Sequence, residues 1–505
     1  MRWSPSPFAR HVSMSLGVAM ILCTLSGCTT YRIIRYRQPD ARNQGMFPKR
    51  VVHKADAPFQ FVRASTLRTD LDTVTVRAPD GKRISFQKYM ADYAVLAFVV
   101  IRRDTIVYEA YRDGFTRSTV HSSFSMAKSV LSALVGIAVA EGAIKSLDQP
   151  VSDYLTDLRG KPAFDGVTIR HLLEMKSGLH YTKTGNGWWS DFRSDDAHMY
   201  YSTNLRKSVS GAHREITPGS KWVYKDTDAI LLGLVLANAT GKTVAAYTEE
   251  KLWRRIGTEH DATWSLDHRD GNENVASGFN ATAEDFARFG RLYLHGGSWK
   301  DAQVVPAAWV SASVGVDTSR HEPEISTWWQ MQHTMYWWHP IQPPAGEFFA
   351  DGSHGQRIYV DPATETIIVQ LANNSNQDFP FRKVVAYLNG TAWDYPRLIP
   401  GLVYQAATNF GADSVRPVFR RLMDDRASHP EKYTITENAM NTVGTLLVKE
   451  PKTLPAAIEV YKIVTEQYPQ SARGFLGLAD AYERIGNTAA AADARQRAAA
   501  LDPPH

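Results

Sequence analysis

The chain has 505 residues, 44% of them hydrophobic and 22% charged, with a formal net charge of +5. That balance belongs to a globular protein of two or more domains rather than to a disordered chain. Lys and Arg are scattered without a basic block, which argues against a nucleic-acid partner, and only two cysteines occur, Cys23 and Cys28.

Residues 1–27 read as a signal peptide. Arg2 and Arg10 precede an apolar run from about Met14 to Leu25, shorter than the roughly 20 residues a membrane-spanning helix needs. Leu25-Ser26-Gly27-Cys28 resembles a bacterial lipobox, which implies acylation of Cys28 and a membrane partner reached through that lipid anchor. Thr29 rather than Asp follows, so the resemblance implies the periplasmic face of the outer membrane in a Gram-negative envelope. Cys23 lies in the removed segment, so an acylated Cys28 leaves no thiol for catalysis, a disulfide or a metal site. Residues 28–58 are polar and basic with little apolar periodicity and read as a tether.

A body is expected over 59–404. The runs Val95–Ile101 and Thr105–Tyr108, separated by Arg102-Arg103-Asp104, predict a hairpin. Ser123 is expected to cap a helix whose apolar stripe is Val130, Leu131, Leu134, Ile137 and Ala138, stopped by Gly142. At its start stands Ser125-Met126-Ala127-Lys128, which places a hydroxyl and an amine on one helical face beside exposed N–H groups and a positive dipole end. The same spacing recurs at Ser85 and Lys88, but there it follows the polar turn Pro79–Arg83 and precedes no long apolar helix, so Ser85 reads as surface.

Helices dominate to about Lys251. Strands return at Arg357–Val360 and Thr366–Leu371, around the turn Asp361-Pro362-Ala363. Strands at both ends of a helical middle predict an α/β (α+β) fold: one antiparallel sheet flanked by helices, plus an all-helical subdomain. Residues 405–505 read as a helical tail. Pro469 and Pro503 are 34 residues apart, as are Ala457 and Ala491, which matches the tetratricopeptide period. One and a half to two repeats are too few to be stable alone, so the tail is expected to pack on the catalytic body, with a protein partner at its surface as the minor alternative.

Two further signatures accompany Ser125: Pro218-Gly219-Ser220-Lys221-Trp222-Val223-Tyr224-Lys225-Asp226 ahead of an apolar helix, and Ala350-Asp351-Gly352-Ser353-His354-Gly355-Gln356 ahead of the last strands. With Val167–Leu179 and Gly142–Val151 they resemble the serine β-lactamase and penicillin-binding-protein superfamily, in particular its class C-like branch of esterases, peptidases and 6-aminohexanoate-dimer hydrolases. The resemblance runs from about Tyr93 to Asn374 and implies a β-lactamase/transpeptidase-like fold. It implies Ser125 as the nucleophile that forms an acyl-enzyme, with Lys128 and Tyr224 sharing proton transfer. A serine hydroxyl is a poor nucleophile until a nearby base takes its proton, and either side chain can serve. The backbone N–H groups of Ser125 and Ser353 are the expected oxyanion donors. Asp226, Gly352, His354, Gly355 and Trp188 are candidates for substrate contact. Trp337 and Trp338 read more readily as core.

Two departures stand out. Ala350-Asp351-Gly352 or Ser353-His354-Gly355 occupies the place of the family's Lys-Thr/Ser-Gly, and Asp226 replaces the Asn of its Tyr-x-Asn motif. Both argue against efficient β-lactam turnover and leave small esters, linear amides or peptides as substrates. Gly241-Lys242-Thr243 lacks the earlier glycine of a phosphate loop, and the sixteen histidines form no metal-binding motif, so no cofactor or metal is expected. The alternatives are a peptidoglycan DD-peptidase or weak β-lactamase, and an inactive envelope scaffold.

Overall fold

The computed structural model describes residues 29–36, 41–77, 82–183, 193–315, 331–340, 346–373, 380–391 and 397–501. Cys28, the signal segment and Trp188 lie outside the described residues. Two compact units emerge: residues up to 315 with 333–338 and 347–381, and residues 316–332 and 339–346 with everything from 382 onward.

In chain order the first unit begins with α1 (Thr29–Tyr36), β1 (Lys49–Val52), β2 (Val62–Arg63), α2 (Phe86–Asp92), β3 (Val95–Arg102), β4 (Thr105–Tyr111) and β5 (His121–Ser122). Then come α3 (Met126–Ala140), α4 (Ile169–Leu173), α5 (Asp195–Tyr200), α6 (Asp226–Thr240), β6 (Ala262–Ser265), β7 (Phe279–Ala281), α7 (Ala283–Leu294) and α8 (Ala307–Val314). The strands β8 (Met331–Thr334), β9 (Trp337–Pro340), β10 (Phe348–Gly352), β11 (Gln356–Asp361) and β12 (Thr366–Ala372) follow.

The main sheet has eight strands in the order β8-β9-β10-β11-β12-β3-β4-β2. The expected hairpins are present: β3 pairs β4 and β11 pairs β12, both antiparallel, and β12 joins β3 antiparallel across the chain, with Val369 opposite Val99. β3 is buried from Val95 to Ile101, and β12 along its whole length, so these central strands read as unbroken apolar runs. Helix α7 lies close on the sheet at Gly290, where a methyl group would stand 2.8 Å from the Ile358 side chain. In the helical layer α3 and α4 pack on α6, whose expected stop is Gly241 in the left-handed conformation, φ +66°. Ser85 is exposed and caps α2 by accepting from the Lys88 backbone N–H, which removes it from any catalytic role.

The expected tether over 28–58 is corrected. β1 pairs antiparallel with β6, Lys49 opposite Ser265 and Val52 opposite Ala262, in a second sheet ordered β1-β6-β7-β5. Ile33 of α1 and Phe47 are buried against Phe124, Tyr200 and Tyr201, and the Arg32 guanidinium donates to the carbonyls of Ser202 and Asp267 at 3.3 Å each. Residues read as polar linker are therefore tied to the body by strand pairing and aromatic packing. The same small sheet carries β5, immediately before Ser125.

The tail is helical, as expected: α9 (Ile399–Phe410), α10 (Ala412–Ser428), α11 (Glu437–Val448), α12 (Leu454–Gln467), α13 (Ala472–Arg484) and α14 (Thr488–Leu501). It buries its own cluster, including Ile399, Phe419, Met440, Val460, Tyr461 and Leu478. The expected boundary at residue 404 falls inside α9, so the helical region starts earlier than composition suggested.

Candidate active site

Ser125 sits at the junction of β5 and α3. The turn is made by Phe124, whose φ of +45° is rare for a residue with a bulky side chain and points to a backbone held by its surroundings. The expected cap by Ser123 is not formed: its hydroxyl donates to the Phe124 carbonyl at 3.1 Å, and the first helical turn is closed by backbone bonds from Met126 and Ala127 to the carbonyls of Ser123 and Phe124. Ser125 is half-buried while Met126 to Ala138 are buried.

Lys128 is 1% exposed. Its ammonium nitrogen lies 3.0 Å from Ser125 Oγ, 2.8 Å from the Ala276 carbonyl and 2.7 Å from Asp226 Oδ1. It also stands 5.0 Å from the centre of the Tyr224 ring. The Tyr224 hydroxyl is hydrogen-bonded with both Ser125 and Lys128. That ring is packed by His333 and Trp338, at 5.6 and 5.8 Å between centres. The structure thus brings Ser125, Lys128 and Tyr224 together, from the start of α3 and from the loop that leads into α6.

The third segment meets them at the backbone. Gly352 ends β10 and is packed directly against the Ser123 carbonyl and the Ser125 nitrogen. Ser353, the next residue, is exposed. His354 takes φ +64°, and its ring lies 4.9 Å from that of Phe124, where it supports the nucleophile's turn. Gly355 is a turn residue whose carbonyl accepts from Gln370. Trp337 is core, packed on Phe289, Tyr293 and Phe348, whereas Trp338 belongs to the site through Tyr224.

Three features were not found from the sequence. Asp226 is ion-paired with Lys128 rather than turned toward a substrate. Asp351 is ion-paired with Arg357, whose guanidinium also donates to the carbonyls of Gly352 at 2.6 Å and Gln356 at 2.7 Å, so a buried cation pins the turn after β10. Behind Tyr224, buried Lys225 donates to the Leu179 carbonyl at 2.8 Å, and Asp228 accepts from the Ser177 hydroxyl at 2.6 Å. Burial pushes the Asp228 carboxyl up to about 6, against Lys225 and the Ser177 hydrogen bonds, while burial lowers Lys225 against the pull of Asp228. The signal for all three was a charged residue beside a motif position; the partners Lys128 of Asp226 and Ser177 of Asp228 lie far away in sequence, whereas Arg357 lies only one turn beyond Asp351.

The family profile described as Beta-lactamase matches residues 85–390. The chain belongs to the beta-lactamase family. A 6-aminohexanoate-dimer hydrolase of Paenarthrobacter ureafaciens is 27% identical over 318 residues, 61% of this chain and 79% of that protein. A putative D-alanyl-D-alanine carboxypeptidase of Escherichia coli K12 is 41% identical over 119 residues, but that stretch covers 22% of this chain and 26% of the relative. Among solved structures, a putative 6-aminohexanoate-dimer hydrolase from Bacillus anthracis superposes with a TM-score of 0.61 at 24% identity, over 68% of this chain and 92% of that one. Within the beta-lactamase family this chain is a serine hydrolase whose site holds Asp351, ion-paired with Arg357.

Proposed function

We propose that the protein hydrolyses linear amides or small carboxylic esters through an acyl-enzyme on Ser125. The observation that carries this reading is the 3.0 Å contact of Ser125 Oγ with Lys128, completed by the Tyr224 hydroxyl and by the Gly352 backbone packed on the Ser125 nitrogen. As an ammonium, Lys128 faces Ser125, Ala276, Asp226 and Tyr224 and has no lone pair to accept with, so the Ser125 hydrogen is left to the Tyr224 oxygen. With Tyr224 as the phenolate, Ser125 Oγ then bonds to the carbonyl carbon as its proton passes to the Tyr224 oxygen and the carbonyl π electrons move onto oxygen, and that oxyanion meets the N–H groups of Ser125 and Ser353. Collapse breaks the bond to the leaving nitrogen or oxygen, which takes the proton from Tyr224. Water repeats the sequence on the acyl-enzyme and releases Ser125.

Linear amides are supported by the relative of Paenarthrobacter ureafaciens, whose name states a dimer of 6-aminohexanoate, an amino acid that dimerises through an amide bond, and by Ala350-Asp351-Gly352, which carries no lysine. A panel of p-nitrophenyl esters, linear amide dimers, nitrocefin and D-Ala peptides, run with wild type and Ser125→Ala, tests it. Turnover of esters or amide dimers that disappears in Ser125→Ala is expected, with little nitrocefin hydrolysis and little D-Ala release. Equal activity of both proteins on every substrate overturns the reading, and dominant D-Ala release favours a peptidase. We also place the protein in the bacterial envelope by a lipid on Cys28; Cys28→Ser should abolish labelling with radioactive palmitate. The starts of α12 and α14 lie 34 residues apart, which supports reading the tail as a short repeat.

A further inference from the structure

Asp226 stands inside the reacting cluster, not at its rim. The Lys128 ammonium faces acceptors on Ser125, Ala276, Asp226 and Tyr224, and one of those is the carboxylate at 2.7 Å. A cluster built around a buried lysine and largely shielded from water is most stable near neutrality, because little solvent is there to answer an uncompensated charge. With an amide at position 226, the neutral state of Lys128 and Tyr224 is one in which a proton has already left: ammonium with phenolate, or amine with phenol. With a carboxylate there, neutrality requires ammonium with phenol. The two cases differ by one proton.

We propose that Asp226 keeps one additional proton on the Ser125–Lys128–Tyr224 cluster, so that the form able to deprotonate Ser125 is reached only at alkaline pH. Asp226 is in this sense a positioning residue that acts through Lys128 and sets the working range of the hydrolase site, and the inference rests on the reading of Ser125 as its nucleophile.

The surroundings leave this balance in place. Asp351 of β10 faces Lys128 and Tyr224 but is neutralised by Arg357 of β11. Lys225 and Asp228 offset each other around Ser177. Asp196 of α5, hydrogen-bonded by Tyr181 at 2.6 Å, faces Asp226 and adds negative potential in the same sense. His333 of β8 packs its ring on Tyr224, and Lys183 stands 5.9 Å from the Tyr224 ring centre but is exposed, where water screens it. The three groups respond alike. Burial raises Tyr224 and Asp226, in each case against Lys128; Lys128 is raised because Asp226 and Tyr224 outweigh the effect of burial.

The rate at which a fluorophosphonate labels Ser125, measured from pH 5 to 10.5, tests this without knowledge of the natural substrate. In the wild type the rate should rise through pH 8 toward an alkaline plateau. Asp226→Asn keeps an oxygen that accepts from Lys128 while removing the charge. Its acid limb should move down by at least one pH unit, seen as an about tenfold faster reaction at pH 7 relative to each protein's own plateau. Asp226→Glu should keep the alkaline limb. Coincident limbs, an upward shift, or a folded Asp226→Asn that is not labelled at any pH overturns the proposal. Should Asp226→Asn fail to fold, the wild-type profile decides: a plateau already reached by pH 6.5 overturns it. Labelling of wild-type Ser125 with an unmoved limb leaves the hydrolase reading intact, whereas an unlabelled wild type at every pH removes both.

Discussion

A methyl group built on Gly352 would stand 3.3 Å from the Ser125 nitrogen and 2.2 Å from the Ser123 carbonyl oxygen, so the end of β10 and the nucleophile's turn meet backbone to backbone. Gly352 has φ −136°, an extended conformation open to any residue, and its requirement is one of space. Gly352→Ala must push the strand end away from Ser125 and widen the gap between the two oxyanion donors. The expected result is a kcat lower by roughly 10²–10³ with a stability loss of ~1–3 kcal/mol. Ester hydrolysis and urea unfolding measure the two; an unchanged kcat would remove the strand end from the oxyanion site.

Removing Lys128 has two separable effects. Lys128→Met abolishes Ser125 activation and leaves the Asp226 carboxylate buried without its cation, which costs ~3–5 kcal/mol. The double variant Lys128→Met/Asp226→Leu replaces both charges by apolar groups and should regain most of that stability while remaining inactive. Chemical denaturation of the single and double variants checks the coupling; equal destabilisation by both would mean that the ion pair is not what suffers.

The contrast between these groups shows what could be read from the sequence. Ser125 and Lys128 were legible because their three-residue spacing puts them on one helical face, Tyr224 only through the family resemblance of the segment around it, and the hairpins β3/β4 and β11/β12 because each is one apolar run, one polar turn and another run. The Lys128–Asp226 pair was not, because which way a side chain points from the loop before α6 is settled by packing rather than spacing. The cap assigned to Ser123 failed for a related reason: Phe124 is forced to positive φ between β5 and α3, which carries Ser123 out of capping position. The segment over 28–58 looked featureless because β1 is four residues long and its partner lies more than two hundred residues away.

Phe47 turns that last correction into a measurement. Its ring meets Tyr200 edge-on at 5.3 Å, and Tyr200 stacks on Phe124 at 5.9 Å, directly before the nucleophile. A tether residue can be truncated freely, whereas a buried aromatic leaves a cavity. Phe47→Ala is expected to lose ~3 kcal/mol of stability and to lower kcat severalfold through the loosened Phe124 turn. Thermal unfolding and ester turnover read these, and a melting temperature equal to wild type would return the segment to the role of linker.

Asp228 predicts a pH dependence of a sign opposite to that of most carboxylates. Its folded value of about 6 lies above the ordinary ~3.9 of an unfolded Asp, so between these two values the folded state holds more protons than the unfolded one. Stability contributed by this group is therefore full below about pH 4 and falls as pH rises to about 6, by on the order of 3 kcal/mol in total. Lys225, lowered by burial, acts in a separate window below the ordinary lysine range, where its effect rises with pH. Asp228→Asn keeps an oxygen for the Ser177 hydroxyl and removes the titration. Urea unfolding of wild type and variant at pH 4.5 and 7 should show the wild type losing stability relative to Asp228→Asn across that interval. A difference that stays constant would mean that Asp228 ionises in the fold as readily as in water and that Lys225 fully compensates its burial.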